Sequence, residues 1–336
     1  MSNPFSFGGI VKEERFCNRV NELKELKQDI LNKQNVLIYA PRRFGKTSLV
    51  LKAVEELKEE HKDFRFVYID LMTITDKKEF INKYFNAIAK SLESSFDKTI
   101  ETLKAFLRLK PIIKASISDT GNMVFSLDFS RSESDNVLDD ILNISTKYGE
   151  KYKVCIVFDE FQEIENIKGL ENKLRSIIQN HSNVSYVFLG SKKSIINAMF
   201  SDTKRPFYKS VKHFTLSPIS NEEWKKCILK AFETTSKKID ESIIDNILKI
   251  TKGFPYYTQQ LCYDIWELSE KEVNEEIFNI ALNRLLKQER EYFIAIWDNL
   301  TQNQKKALKI VLMTNGDNIY GDERSRSLIS SASLQA

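Results

Sequence analysis

The chain has 336 residues, 42% apolar and 29% charged, with a net charge of +4 at pH 7. At roughly 150 residues per domain this predicts two or three domains; 22 Phe, 12 Tyr and only 10 Gly suit a packed interior and exclude a disordered chain. The small positive charge neither demands nor excludes nucleic acid, and no apolar run approaches the length that spans a bilayer.

The first residues, M-S-N-P-F-S-F-G-G, lack a basic stretch followed by an apolar core, so the expected location is the cytoplasm, with no membrane partner. Cys17, Cys155, Cys227 and Cys262 are scattered without metal-ligand spacing, as are His61, His181 and His213, and free thiols in a reducing compartment are expected. Residues 16–22 lead into an amphipathic helix near 20–32, which puts Arg19 and Glu22 on one face. This segment ends just before a short apolar strand at 36–39.

Residues 40–48, A-P-R-R-F-G-K-T-S, follow that strand and precede a helix. Ala40, Pro41, Arg42, Arg43, Phe44, Gly45, Lys46, Thr47 and Ser48 match the phosphate-loop pattern G-x-x-x-x-G-K-[ST] in its strand–loop–helix setting, with Ala40 at the first position instead of Gly. Backbone amides of such a loop cradle phosphate oxygens. Gly45 lets the backbone come close, Lys46 supplies a mobile positive charge for the β- and γ-phosphates, and Thr47 offers a hydroxyl to Mg²⁺, a cation that wants oxygen donors.

Residues 64–71 read as the second strand, with Asp70 either capping the next loop or facing the nucleotide, and Asp76 with Glu79 signals a helix over 77–94. Residues 95–150 read as an insertion. Ile113, Ala115 and Ile117 alternate there, as do Met123, Phe125, Leu127 and Phe129 around turn residues 119–122, which predicts a β-hairpin with one apolar face, for packing or for a partner. At 153–160, K-V-C-I-V-F-D-E, an apolar strand ends in two acids. A helix cap gives the same letters, but beside a phosphate loop Asp159 is expected to hold Mg²⁺ and Glu160 to orient and deprotonate a water. The strand 183–191 ends at Ser191, placed to sense the γ-phosphate; Lys192 and Lys193 meet phosphate, a partner or solvent.

After residue 216 the pattern turns helical, opening on a Ser220/Glu223 capping box. Gly253-Phe254-Pro255 stands at a helix start. Thr301 and Gln304 cap a helix over 302–313, followed by a turn at 315–318 and segments 322–329 and 330–336 that resemble the opening of a winged helix without its wing.

Together, residues 16–22, 40–48 and 154–164 (with D-E-F-Q-E-I), Gly190-Ser191 and 253–255 resemble the archaeal-type STAND ATPases of the AAA+ superclass of P-loop NTPases. The resemblance implies an α/β fold. Its three-layer αβα core with a mainly parallel sheet spans 1–216, an all-helical lid 217–300, and a partial winged helix 301–336. It implies that Phe16 and Arg19 lie near the adenine and that Gly253 and Pro255 close the lid over ATP or ADP. Asn18 stands where the family has Gly, and Pro206-Phe207-Tyr208-Lys209-Ser210 where many relatives carry Arg, leaving Arg205 or Lys209 as substitutes. The expected activity is Mg²⁺-dependent ATP hydrolysis, slow for want of that arginine, serving as a conformational switch with self-association or a protein partner. The alternative is a non-catalytic nucleotide-gated module that binds protein or DNA. The Asp159-Glu160 pair favours catalysis; the modest charge and short tail disfavour sequence-specific DNA binding.

Overall fold

The computed structural model describes residues 2–9, 16–17, 19–92, 96–109, 111–119 and 121–314. The helical domain-opening expected over 315–336, and Asn18, lie outside the described residues. Chain order is α1 (Val20–Leu31), β1 (Val36–Tyr39), α2 (Lys46–Glu60), β2 (Phe64–Asp70), α3 (Lys77–Ser91), α4 (Phe96–Phe106), β3 (Ile112–Ile117), β4 (Met123–Asp128), α5 (Ser134–Gly149), β5 (Lys153–Asp159), α6 (Leu170–Ile178), β6 (Val184–Gly190), α7 (Lys193–Ser201) and β7 (Lys212–Thr215). Five helices follow: α8 (Asn221–Thr234), α9 (Glu241–Thr251), α10 (Pro255–Leu268), α11 (Glu275–Asn299) and α12 (Gln302–Thr314).

Among the described residues, five strands form one sheet in the order β2-β5-β6-β1-β7, each neighbouring pair parallel. A parallel sheet covered on both faces needs apolar residues at almost every position, and β5 and β6 are buried from Val154 to Asp159 and from Val184 to Gly190. Alternate side chains then part to opposite faces. Ile38, Val157 and Leu189 pack with Leu26, Leu49 and Val50 of α1 and α2. Leu37, Phe158 and Phe188 pack on the other side with Phe80, Ile141 and Leu174 of α3, α5 and α6. Phe158 is the centre of that second layer, its ring 5.8 Å from Phe188 and 6.2 Å from both Phe80 and Tyr186. The result is the α/β architecture expected from the sequence, wholly parallel in its main sheet.

The chain leaves β1 for the far edge of the sheet and returns to the strand beside β1 only after β5. The carboxyl ends of β1, β5 and β6 therefore open on one edge, the place where open α/β sheets bind ligands.

Within 95–150, α5 packs against β5 and β6 as a core helix, so what lies outside the sheet layer is α4 and the expected hairpin, β3 paired with β4. The hairpin docks on α3: Asn82 and Asn86 Oδ1 accept the amides of Leu127 and Phe125 at 2.8 and 2.9 Å, and both those side chains are buried. Met123 and Ile117, expected on the same apolar face, are exposed at the hairpin tip.

The helices after residue 216 bury Trp224, Ile228, Phe232, Ile244 and Leu261 in a core of their own. The capping box of α8 forms as expected, Glu223 N to Ser220 Oγ at 3.2 Å. The N-terminal residues also join this helical core. Phe5 packs on Phe232 with ring centroids 5.4 Å apart, Phe7 sits edge-on to Tyr263 at 5.4 Å, and Asn3 Nδ2 donates to the Tyr263 carbonyl at 3.2 Å. Residues 2–9 are thus tied to the lid, not to the sheet that follows them in sequence.

Candidate functional site

The loop between β1 and α2 turns at Gly45, whose φ of +87° is the left-handed region that an L side chain rarely adopts. This turn lets α2 begin at Lys46. Its ammonium is buried and donates to the carbonyls of Ala40 at 2.7 Å and Pro41 at 3.2 Å. Burial lowers its pKa, while the charges of Glu160 and Asp159 act against that shift. Pro41, Arg42 and Arg43 are exposed, and Arg43 also has positive φ.

Thr47, one residue on, faces the end of β5. Its Oγ1 donates to Asp159 Oδ2 at 2.9 Å across 112 residues of sequence. The same oxygen accepts the hydroxyl of Tyr68 from β2 at 2.6 Å. Burial and the charges of Asp159, Asp70 and Glu160 push the Tyr68 phenol well above its ordinary range, so it stays a donor. Glu160 follows at φ +52°, ψ +45°, a strained conformation for a residue with a side chain. Its Oε2 accepts Ser191 Oγ from the end of β6 at 2.7 Å, and accepts Gln162 Nε2 as well. Lys46, Thr47, Asp159, Glu160 and Ser191, expected from separate stretches, thus converge at the open edge of the sheet.

A cavity of about 160 Å³ is lined by the β1–α2 loop and the start of α2 (Arg43, Phe44, Gly45, Ser48), the N-terminal segments (Ser6 to Gly9, Phe16, Cys17, Arg19) and the segment after residue 216 (Ile219, Trp224, Pro255, Tyr256, Gln259), and none of Lys46, Thr47, Asp159, Glu160 and Ser191 lines it. Arg19 is 2% exposed; its Nη1 donates to Glu22 Oε1 at 3.1 Å and to the Ser217 carbonyl at 2.8 Å, and its Nη2 is buried without a protein partner. Burial lowers its pKa, opposed by Glu22. Gly253, at φ +67°, lets the chain pass tightly over Ile219 and Trp224, whose Nε1 donates to the Gly253 carbonyl at 3.0 Å. Pro255 then starts α10 against the cavity. Two ring contacts tie the β1–α2 loop to the segment that opens α10: the Arg43 guanidinium 4.2 Å over Tyr256, and Phe44 5.2 Å from Phe254.

Other sequence candidates have structural partners. Asp70 Oδ1 caps its own loop through Met72 N at 2.9 Å. Lys192 pairs with Glu163 at 2.9 Å, and Arg205 is shared by Glu165 at 2.8 Å and Glu171 at 2.7 Å. Lys209 Nζ lies 5.3 Å from the Tyr208 ring. Cys17, Cys227 and Cys262, scattered in sequence, meet in the lid core as free thiols.

Sequence reasoning missed Tyr68, Gln162, Tyr256 and the wall made by Ser6 to Gly9. Tyr68 alone carried a signal: it is two residues before Asp70 on β2 and so on the same face, and Asp70 pairs in register with Asp159. Gln162 lies in a 3₁₀ turn, where no periodicity announces which side chain turns back.

Residues 16–261 match the family described as an ATPase domain predominantly from Archaea. The chain belongs to that archaeal ATPase family. Among its relatives are two from Methanocaldococcus jannaschii, each 24% identical: an uncharacterized protein, aligned over 82% of this chain and 51% of its own length, and an uncharacterized ATP-binding protein, over 74% and 70%. This chain thus spans about half the length of the first of these relatives. A Walker-type ATPase of Pyrococcus abyssi has the same fold, with a TM-score of 0.66 and 14% identity over 99% of this chain and 91% of that one. This archaeal ATPase domain has, among its described residues, no helix long and apolar enough to cross a membrane.

Proposed function

We propose that the chain binds ATP with Mg²⁺, hydrolyses it slowly to ADP and phosphate, and uses the nucleotide state to set the position of its lid, as a STAND-type switch. The observation that carries this reading is the meeting of Thr47 Oγ1 with Asp159 Oδ2 at 2.9 Å, with Glu160 beside them. A hydroxyl and a buried carboxylate from the two ends of the site are the oxygen donors that Mg²⁺ takes. Family membership and the ATP-binding relative support the nucleotide.

In this reading residues 16–216 carry the nucleotide site, 217–300 the lid on which residues 2–9 dock, and 301–336 the start of a winged helix. Phe16, Arg19, Gly253 and Pro255 hold the base end, and the loop from Ala40 to Ser48 the phosphates. Mg²⁺, when bound, would offset the charge of the β- and γ-phosphates. Lys46 exchanges its two carbonyl acceptors, Ala40 and Pro41, for phosphate oxygens. Glu160 accepts the proton of the attacking water, with Ser191 and Gln162 aiming its carboxylate. Arg205 is committed to two glutamates and Lys209 is a weaker substitute, so neither stands in well for the arginine that many relatives carry. Lack of one slows such reactions by roughly 10³-fold or more, which fits a switch better than a motor.

The test is phosphate release from ATP with Mg²⁺ by the wild type, Glu160→Gln and Lys46→Ala. Turnover by the wild type, binding without turnover by Glu160→Gln and loss of binding by Lys46→Ala are expected. Equal turnover by wild type and Glu160→Gln would remove the catalytic claim and leave a nucleotide-gated binding protein. For the switch, sedimentation in the apo, ADP and ATP states must differ; one profile for all three counts against it.

A further inference from the structure

The hydroxyl of Tyr68 has no part in the reading above. β2 sends Val67 and Ile69 into the core beneath α3 and α5, and Phe66 with Tyr68 towards α2 and the phosphate loop. Tyr68 thereby reaches the carboxylate at the end of the neighbouring strand. Asp159 is 8% exposed, so it has lost most of its water, and three donors replace it: Tyr68 OH at 2.6 Å and Thr47 Oγ1 at 2.9 Å on Oδ2, and Glu160 N at 2.9 Å on Oδ1.

The two hydroxyls on Oδ2 respond differently to a cation. A divalent cation held by Thr47 and Asp159 would take an oxygen lone pair of each, so the Thr47 hydroxyl would be shared between the cation and Asp159 Oδ2. The Tyr68 bond is made from the side of β2 and survives. With Glu160 N on Oδ1, it is the side-chain contact that would hold the carboxylate both without and with the cation. Mg²⁺ demands near-ideal octahedral geometry, so a ligand free to rotate binds it less well, and donors behind a ligating carboxylate are worth one to two orders of magnitude in metal affinity.

We propose that Tyr68 is a positioning residue for the divalent cation: its hydroxyl holds the Asp159 carboxylate in the orientation that ligates Mg²⁺ and touches neither cation nor nucleotide. The proposal rests on the reading of Thr47 and Asp159 as cation ligands.

Tyr68→Phe removes one oxygen and keeps the ring that packs 6.2 Å from Phe66. Mn²⁺ serves as the probe. It is titrated into full-length wild type and Tyr68→Phe, each saturated with ADP, with free Mn²⁺ read by electron paramagnetic resonance. ADP binding in EDTA is measured separately by calorimetry. The expected result is Mn²⁺ affinity lower by about 10- to 100-fold in Tyr68→Phe, with ADP affinity in EDTA unchanged. Equal Mn²⁺ affinity in the two proteins overturns the proposal. A parallel fall of ADP affinity in EDTA also overturns it, because Tyr68 would then shape the whole pocket. If ADP fails to raise the Mn²⁺ affinity of the wild type itself, the ligand reading of Thr47 and Asp159 falls, and the Tyr68 role with it.

Discussion

Gly253→Ala tests whether the helices after residue 216 are held against the cavity by backbone constraint. Gly253 has φ +67°, and a Cβ there would lie 3.0 Å from the Ile219 carbonyl oxygen and 3.4 Å from Trp224 ring atoms. The left-handed conformation costs a residue with Cβ about 1–2 kcal/mol. The contact with a backbone oxygen cannot be relieved by a side-chain rotation, so Ile219 or the 253–255 turn must move, at a further cost of about 1 kcal/mol. The sum, about 2–3 kcal/mol, lowers the melting midpoint of a chain of 336 residues by roughly 3–4 °C. Ile219, Trp224 and Pro255 all line the cavity, so ADP affinity falls together with stability. Differential scanning calorimetry and ADP titration read both effects. A variant that melts with the wild type and binds ADP as tightly would refute the reasoning, since the turn would then tolerate a side chain.

Two further outcomes are expected. His181 is buried with Nδ1 2.6 Å from Tyr186 OH and Nε2 without a protein partner, and burial lowers its pKa to about 4 from 6.5. The unfolded chain therefore takes up a proton that the folded chain refuses. Stability present above pH 6.5 is lost as pH falls towards 4, by about 2–3 kcal/mol; urea midpoints in that window should fall less steeply for His181→Gln, and parallel curves would count against the assignment. Ser191→Ala removes a 2.7 Å hydrogen bond to Glu160 Oε2, and ATP turnover should drop by roughly tenfold with ATP binding intact; unchanged turnover means Gln162 alone suffices to aim Glu160.

Much of the cluster around Lys46 and Asp159 was legible because its residues stand in short, marked stretches. Lys46 and Thr47 sit in one nine-residue loop, and Asp159-Glu160 and Ser191 each end an apolar strand, so composition and punctuation mark them. The neighbouring cavity was legible in part, through 16–22 and 253–255. The aromatic side chains that close it, Phe7 and Tyr256, stand in stretches with ordinary packing patterns, and nothing in their spacing tells which face of the lid they meet. Helix α5 was hidden for a related reason: an amphipathic helix in a long crossover reads alike whether its apolar stripe meets the main sheet or an accessory hairpin.

The sequence by itself determined the α/β class, four of the five strands of the central sheet (β1, β2, β5 and β6, but not β7), the glycine turn at 40–48 and the acids that end β5, because each follows from short-range periodicity and from turn chemistry of a few residues. Tertiary structure alone decided that Tyr68 reaches Asp159 across the β2–β5 pair, that Ser191 and Gln162 share one oxygen of Glu160, that three distant cysteines meet, and that residues 2–9 dock on the lid. Strand order, and which side chains share a buried space, are set by the simultaneous packing of all elements, and no local stretch carries that information.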